Sequence, residues 1–219
     1  MANLCKLSGT TGVNTKVKMF SGIVQEKGSI ANLQKLNEVL SIEISCSENF
    51  VKGISIGDSV SVDGVCLTVT AKTSDSISFD AVNETLNRTI INHYIVGSLI
   101  NLESALKFGG SIGGHLMSGH IHQTALIKEV LIIGDSKDLV IEVDPKWSKY
   151  IFEKGYVGIN GCSITIGQVN ETRFKVHLIP ETLRSTNLDD LVFGDSINLE
   201  LDQNTIAITD TTERILRDK

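Results

Sequence analysis

The sequence predicts an all-β protein: two tandem copies of one small sandwich or barrel, closed by a single terminal helix. Three observations carry this. A shift of 97 residues lays Ile100-Asn101-Leu102-Glu103 on Ile197-Asn198-Leu199-Glu200, the mark of an internal repeat. Apolar and polar residues alternate in short runs, the period of half-buried strands. Short strand runs recur every 8–15 residues with glycines among them, without the long helical stretches that βαβ units need. The 219 residues leave room for two domains of about 100 residues each.

The repeat extends well beyond one block. The same shift lays Ser21-Gly22 on Ser118-Gly119, Gly64 on Gly161, Thr68 on Thr165, Glu84-Thr85-Leu86 on Glu181-Thr182-Leu183, and Gly97 on Gly194. Between Ser21 and Glu103, 18 of 83 positions are identical without a gap, where composition alone gives roughly one in twenty. The strand runs then follow in matching pairs. Ser59 to Val69 and Tyr156 to Ile166 each read as two alternating runs around a glycine. Ile77 to Val82 matches Phe174 to Ile179, and Ser98 to Leu102 matches Asp195 to Leu201.

Two short helices are expected in each copy. Ser47 and Asp144 are N-cap types at matching positions, with Pro145 suited to a first helical turn. The two Glu-Thr-Leu blocks start the other pair. Outside the repeat, residues 104–116 read as a glycine-rich connection. Residues 203–219 read as a terminal helix, with Asp210 and Glu213 at capping-box spacing. The division expected is 1–18 extension, 19–103 first barrel, 104–116 connection, 117–202 second barrel and 203–219 helix.

Composition narrows the function. Hydrophobic residues make up 41% and charged residues 21%, enough for a packed core. A net charge of −6 argues against a nucleic-acid partner, which asks for a basic face. No apolar run approaches the roughly 18 residues of a membrane helix, and residues 1–18 carry no secretory apolar core. Cys5, Cys46, Cys66 and Cys162 form no C-x-x-C pair and are read as reduced thiols in a cytoplasmic protein.

Three clusters could carry chemistry. His115, His120 and His122 fall within eight residues, but no cysteine or carboxylate lies beside them to complete a metal site. His120 is better placed as a proton-transfer group, the blander alternative being histidines that merely bound a turn. Cys66 and Thr68 share one strand face, as do Ser163 and Thr165 in the second copy, where a polar ligand can lie against the sheet. Asp80 to Thr85 and His177 to Thr182 each end a strand and enter a turn whose amides suit a planar heterocycle, although Glu84 and Glu181 can equally cap a helix.

Four motifs in order resemble the riboflavin synthase α-chain family: Met19-Phe20-Ser21-Gly22-Ile23-Val24, Gly64 to Val69, Gly113 to His120, and His177 to Leu183. The resemblance runs from Met19 to the C-terminus. It implies two six-stranded Greek-key barrels with a C-terminal helix that gathers three chains into a homotrimer. The reaction implied is the dismutation of two 6,7-dimethyl-8-ribityllumazine molecules to riboflavin and 5-amino-6-(D-ribitylamino)uracil, with no cofactor or metal. The substrate's acidic 7-methyl group supplies the nucleophile, so the protein chiefly holds two identical molecules face to face. The resemblance further implies that each active site pairs the first barrel of one subunit with the second barrel of its neighbour, with lumazine synthase as a candidate partner.

Carried over by position, first-barrel contacts are Gly22, Ile23, Val24, Cys66, Leu67, Thr68, Asp80, Ala81, Val82, Asn83, Glu84 and Thr85. Second-barrel contacts are Gly119, His120, Ile121, Ser163, Ile164, Thr165, His177, Leu178, Ile179, Pro180, Glu181 and Thr182, with Lys154 as an unmatched extra. Cys66 and His120 are the expected chemical groups, assisted by Ser163, Thr165, Asp202 and His115. Two features depart from the family: 18 residues precede the Met-Phe pair, and Asn160 stands where aspartate is frequent. The rival readings are a non-catalytic lumazine- or flavin-binding antenna on the same fold, a reductase's flavin barrel, which lacks its dinucleotide fingerprint here, and a structural module.

Overall fold

The computed structural model describes residues 19–218, so the extension expected at 1–18 lies outside the described residues. Strands β1 (Glu26–Leu36), β2 (Val39–Ser45), β3 (Ser59–Val62), β4 (Val65–Lys72), β5 (Ser76–Val82) and β6 (Leu99–Ser104) close the first barrel. Strands β7 (Gln123–Ile133), β8 (Ser136–Glu142), β9 (Tyr156–Ile159), β10 (Cys162–Asn170), β11 (Arg173–Leu178) and β12 (Ser196–Leu201) close the second. Both run in the order first, second, fifth, fourth, third, sixth, and their neighbours are antiparallel. That order is the Greek key, with the chain crossing a barrel end between its second and third strands.

Alternation makes each wall two-faced. Strand β4 buries Val65, Leu67 and Val69 and turns Cys66 and Thr68 outward. Strand β10 likewise buries Ile164 and Ile166 and leaves Thr165 exposed. Each buried aliphatic side chain contributes about 1.5–3 kcal/mol, and each barrel holds one contiguous core. Helices α1 (Glu48–Lys52) and α3 (Pro145–Ser148) cover the crossings, capped by Ser47 and Asp144 as expected. Helices α2 (Asn83–Arg88) and α4 (Pro180–Ser185) follow the fifth strand of each barrel.

The barrels meet about a local two-fold that passes between Gly64 and Gly161. A Cβ on Gly64 would lie 2.8 Å from the Gly161 nitrogen, and one on Gly161 would lie 2.7 Å from the Gly64 nitrogen. Both glycines have positive φ, +84° and +79°, so backbone shape and close approach exclude a side chain together. Gly161→Ala is therefore expected to cost about 2–4 kcal/mol, read as a lower urea midpoint. An unchanged midpoint would mean that the barrels do not pack through this contact.

Around the axis the contacts repeat in mirrored pairs. Asn101 Nδ2 donates to Asn160 O and Asn198 Nδ2 donates to Asp63 O, both at 2.9 Å. The Asn101 N–H donates to Asp63 Oδ1 and the Asn198 N–H to Asn160 Oδ1, both at 2.8 Å. Only Asp63 is an acid. It takes two further donors, Tyr94 Oη–H at 2.8 Å and Asn187 Nδ2 at 2.9 Å, where the other copy has Leu191 and Ile90. Burial pushes the Asp63 carboxyl up to about 7 against the pull of these donors.

The terminal helix begins at 203 as expected, but Asp210 is not its cap. Helix α5 (Gln203–Arg217) is capped by Asp202, whose Oδ2 accepts the Thr205 N–H at 2.8 Å. Asp210 therefore lies within the helix, where it takes Lys149 Nζ at 3.0 Å and Tyr150 Oη–H at 2.6 Å from the second barrel. The Asp-x-x-Glu spacing marks the face that clasps α3 and its flank, with Glu213 2.7 Å from the same lysine. No described helix is long and apolar enough to cross a membrane.

Candidate active site

Two matched candidate half-sites form where the segments leading into each repeat reach the barrel walls. The Glu103 carboxylate at the end of β6 accepts the Ser21 N–H and Oγ–H, both at 2.7 Å, and the Gly22 N–H at 3.0 Å. Glu200 in β12 accepts the same three donors from Ser118 and Gly119 at the same distances. Both glutamates are buried, which raises their proton affinity, while the donors oppose that rise. Between the two clamps, Phe20 and Met117 form an antiparallel bridge.

The clamped segments then change barrels. The Ser163 N–H of β10 donates to Gly22 O at 2.8 Å, and the Cys66 N–H of β4 donates to Gly119 O at 2.9 Å. Val24 packs on the second core and Ile121 within the first. The grouping expected from the repeat is thus corrected. Gly22, Ile23 and Val24 belong with the second barrel's wall, and Gly119, His120 and Ile121 with the first barrel's. Copy order is a property of the chain, whereas the lip of each half-site comes from the other copy's leading segment.

In the first half-site a cavity of about 360 Å³ is lined by Val65, Cys66, Glu84, Thr85, Arg88, Thr89, Gly119, His120 and Ile121. Arg88 and Thr89 were not among the expected residues. Arg88 lies one helical turn beyond Glu84, 3.3 Å from its carboxylate, a spacing that sequence alone carries. In the second half-site His115 Nδ1 lies 2.6 Å from Ser163 Oγ, and its ring stacks on Tyr156 at 5.5 Å. Burial lowers the proton affinity of His115, and its Nε2 is buried without a hydrogen-bond partner. Tyr156 was also missed. It stands directly across from Thr165 in the β9–β10 ladder.

Several expected contacts are restricted to backbone. Leu67, Ala81, Ile164 and Leu178 point into the barrel cores, so their side chains cannot touch a ligand on the outer face. Val82 and Ile179, one residue further along, are exposed instead. Asn83, Glu84 and Thr85 open α2, and Pro180, Glu181 and Thr182 open α4, with Glu181 paired to Arg184. Asp202 serves as the α5 cap and also acts on His115 by raising its proton affinity. Lys154 sits exposed at a positive φ, its N–H on Ile166 O.

The three clustered histidines diverge. His115 turns to Ser163 and His120 to the first cavity, while His122 accepts the Leu201 N–H through Nδ1 and meets Trp147 edge-on. Cys46, Cys66 and Cys162 form no disulfide. Burial pushes the Cys46 and Cys162 thiols up to about 11 and about 12, leaving Cys66 as the described thiol at a cavity.

The sequence profile of the Lumazine binding domain matches residues 21–105 and again 118–202. Riboflavin synthase of Escherichia coli (strain K12) is 41% identical over 199 residues, covering 90% of this chain and 93% of that protein. The chain belongs to the riboflavin synthase family. The Chlamydia pneumoniae riboflavin synthase is 42% identical over 198 residues, covering 90% and 97%. Among solved structures, LumP complexed with riboflavin superposes with a TM-score of 0.79 at 26% identity, covering 84% of this chain and all of that one. LumP complexed with 6,7-dimethyl-8-(1'-D-ribityl) lumazine gives 0.75, also at 26% identity. The family's two domain copies coincide with the two barrels, and both clamps and both lips fall inside the matched spans.

Proposed function

We propose that this protein catalyses the riboflavin synthase reaction, joining two 6,7-dimethyl-8-ribityllumazine molecules to give riboflavin and 5-amino-6-(D-ribitylamino)uracil. One observation carries the reading: relatives with that activity in their names share about two-fifths of its residues across nine-tenths of its length. The doubled half-site supports it, because a reaction between two copies of one molecule needs two similar seats. Cys66 and His120 are the proposed chemical groups of the first half-site. Ser163, Thr165 and His115 are those of the second, with Asp202 acting through His115.

The proposed assembly is a homotrimer in which a first half-site of one subunit faces a second half-site of its neighbour. Helix α5 supports this. One face is tied to the barrel through Asp210 and Glu213, while Ile208, Ile215 and Leu216 are exposed. Their i, i+7, i+8 spacing makes one apolar stripe for packing against other copies. The proposed location is the cytoplasm, with lumazine synthase as a candidate partner.

The test is incubation of the purified protein with 6,7-dimethyl-8-ribityllumazine and no additive, followed by riboflavin fluorescence. Lumazine bound without turnover would establish the antenna reading instead. His120→Ala is expected to lower kcat about a hundredfold while lumazine affinity changes less than tenfold. Equal losses in both would show that His120 only holds substrate.

A further inference from the structure

The outer walls of the two barrels carry one matched row of side chains each, and the rows are not alike. In the first barrel the row crosses β3, β4, β5 and β2 as Ser59, Thr68, Asp80 and Ser41. In the second it crosses β9, β10, β11 and β8 as Tyr156, Thr165, His177 and Asp138. Ser41 Oγ–H donates to Asp80 in the first row. In the second the carboxylate has moved one strand over: Asp138 Oδ1 lies 2.6 Å from His177 Nδ1.

A third matched position changes with these two. Thr70 of β4 donates its hydroxyl to Ser78 O at 3.1 Å, whereas its counterpart is Gly167. A Cβ on Gly167 would lie 3.0 Å from His177 Nε2 and 3.3 Å from Cδ2. The missing side chain is therefore the space into which the imidazole folds. Carboxylate, imidazole and glycine together form a built feature of one barrel's wall only.

We propose that the second half-site carries its own proton acceptor, His177, with Asp138 as its positioning residue and Gly167 as the seat of its ring. The proposal rests on the lumazine reading above. Asp138 is almost fully buried and, as a carboxylate, can only accept, so Nδ1 carries the proton and Nε2 presents its lone pair. The other charged groups nearby are Lys175, 3.9 Å from Asp138, and the Glu181–Arg184 pair on α4, which packs on β8. In the proposed step Nε2 takes a proton from the 7-methyl group of the bound lumazine. A C–H bond breaks, an N–H bond forms, and the electron pair stays on carbon, delocalised into the ring. Asp138 balances the imidazolium, which returns the proton later in the reaction. The first row, a carboxylate already holding a hydroxyl, is left with a binding role.

The experiment moves the first barrel's residues into the second. Asp138→Ser with His177→Asp rebuilds a pair that the first barrel already holds at the same register, and Asp138→Asn tests positioning alone. Lumazine affinity, kcat, KM and deuterium exchange at the 7-methyl group are measured for the full-length protein. The double variant is expected to bind within about threefold of the parent, while kcat and exchange fall at least tenfold. Asp138→Asn is expected to fall between the two and to move the acidic limb of the kcat profile against pH. Wild-type exchange and turnover in both variants, or affinity lost in step with turnover, would overturn the proposal. A parent protein that exchanges deuterium without making riboflavin would instead overturn the reaction assignment and leave the acceptor role standing.

Discussion

Glu103→Ala is expected to empty the half-site on the opposite barrel. Glu103 belongs to β6 of the first barrel, yet it clamps Ser21 and Gly22, whose carbonyl holds Ser163 in the second. Truncation leaves two backbone N–H groups and one hydroxyl without their acceptor in a buried place. That costs about 3–5 kcal/mol and frees the segment from the β10 wall. Lumazine titration should then report one bound ligand per chain against the two expected for the parent, and the urea midpoint should fall. Glu200→Ala should remove the other ligand. Loss from the first barrel after Glu103→Ala would show that the lips are not exchanged.

Asp63→Asn is expected to change how stability depends on pH. Burial raises the Asp63 carboxyl from 3.8 to about 7 in the folded protein. Between those values the unfolded chain has lost this proton while the folded chain retains it. Stability therefore falls as pH rises through that window, by up to about 1.4 kcal/mol per pH unit. Asparagine keeps an acceptor for Asn101 and Asn187 and removes the titration, as Asn160 already does at the matched position. Glu103 and Glu200 are raised by burial and tilt the same way, whereas His115 and His122 are lowered by burial and tilt the other. The difference between parent and variant isolates Asp63. Urea unfolding at pH 4.5 and pH 7.5 measures it, and parallel slopes would show that Asp63 is ionised throughout.

The fold was legible because strand alternation and a constant offset are local signals. Ile-Asn-Leu-Glu recurs because the same β6 and β12 positions close both barrels, and their Glu103 and Glu200 clamp both leading segments. Alternation also placed Cys66, Thr68, Ser163 and Thr165 outward without any structure. The exchange of lips was not legible. Nothing in the sequence says that Gly22 lies beside Ser163 and not Cys66, since that follows from how the barrels dock about Gly64 and Gly161. The same gap hid Asp138. It differs from its counterpart Ser41, and only strand register brings it to His177. Asp210 misled for another reason: its acidic spacing reflects partners on the second barrel, not the start of a helix.

The crossing of leading segments bears on how such a chain could arise. A gene for one unit alone would encode a wall without its own rim, together with a rim fitted to somebody else's wall. Two separate units complete each other only by trading ends, at the entropic expense of meeting in solution. Fusing them in one polypeptide turns that trade into an intramolecular closure, favoured by a high effective concentration. Cutting this protein at the 104–116 connection should therefore yield fragments that bind ligand only as pairs, each rim seated on its partner's wall.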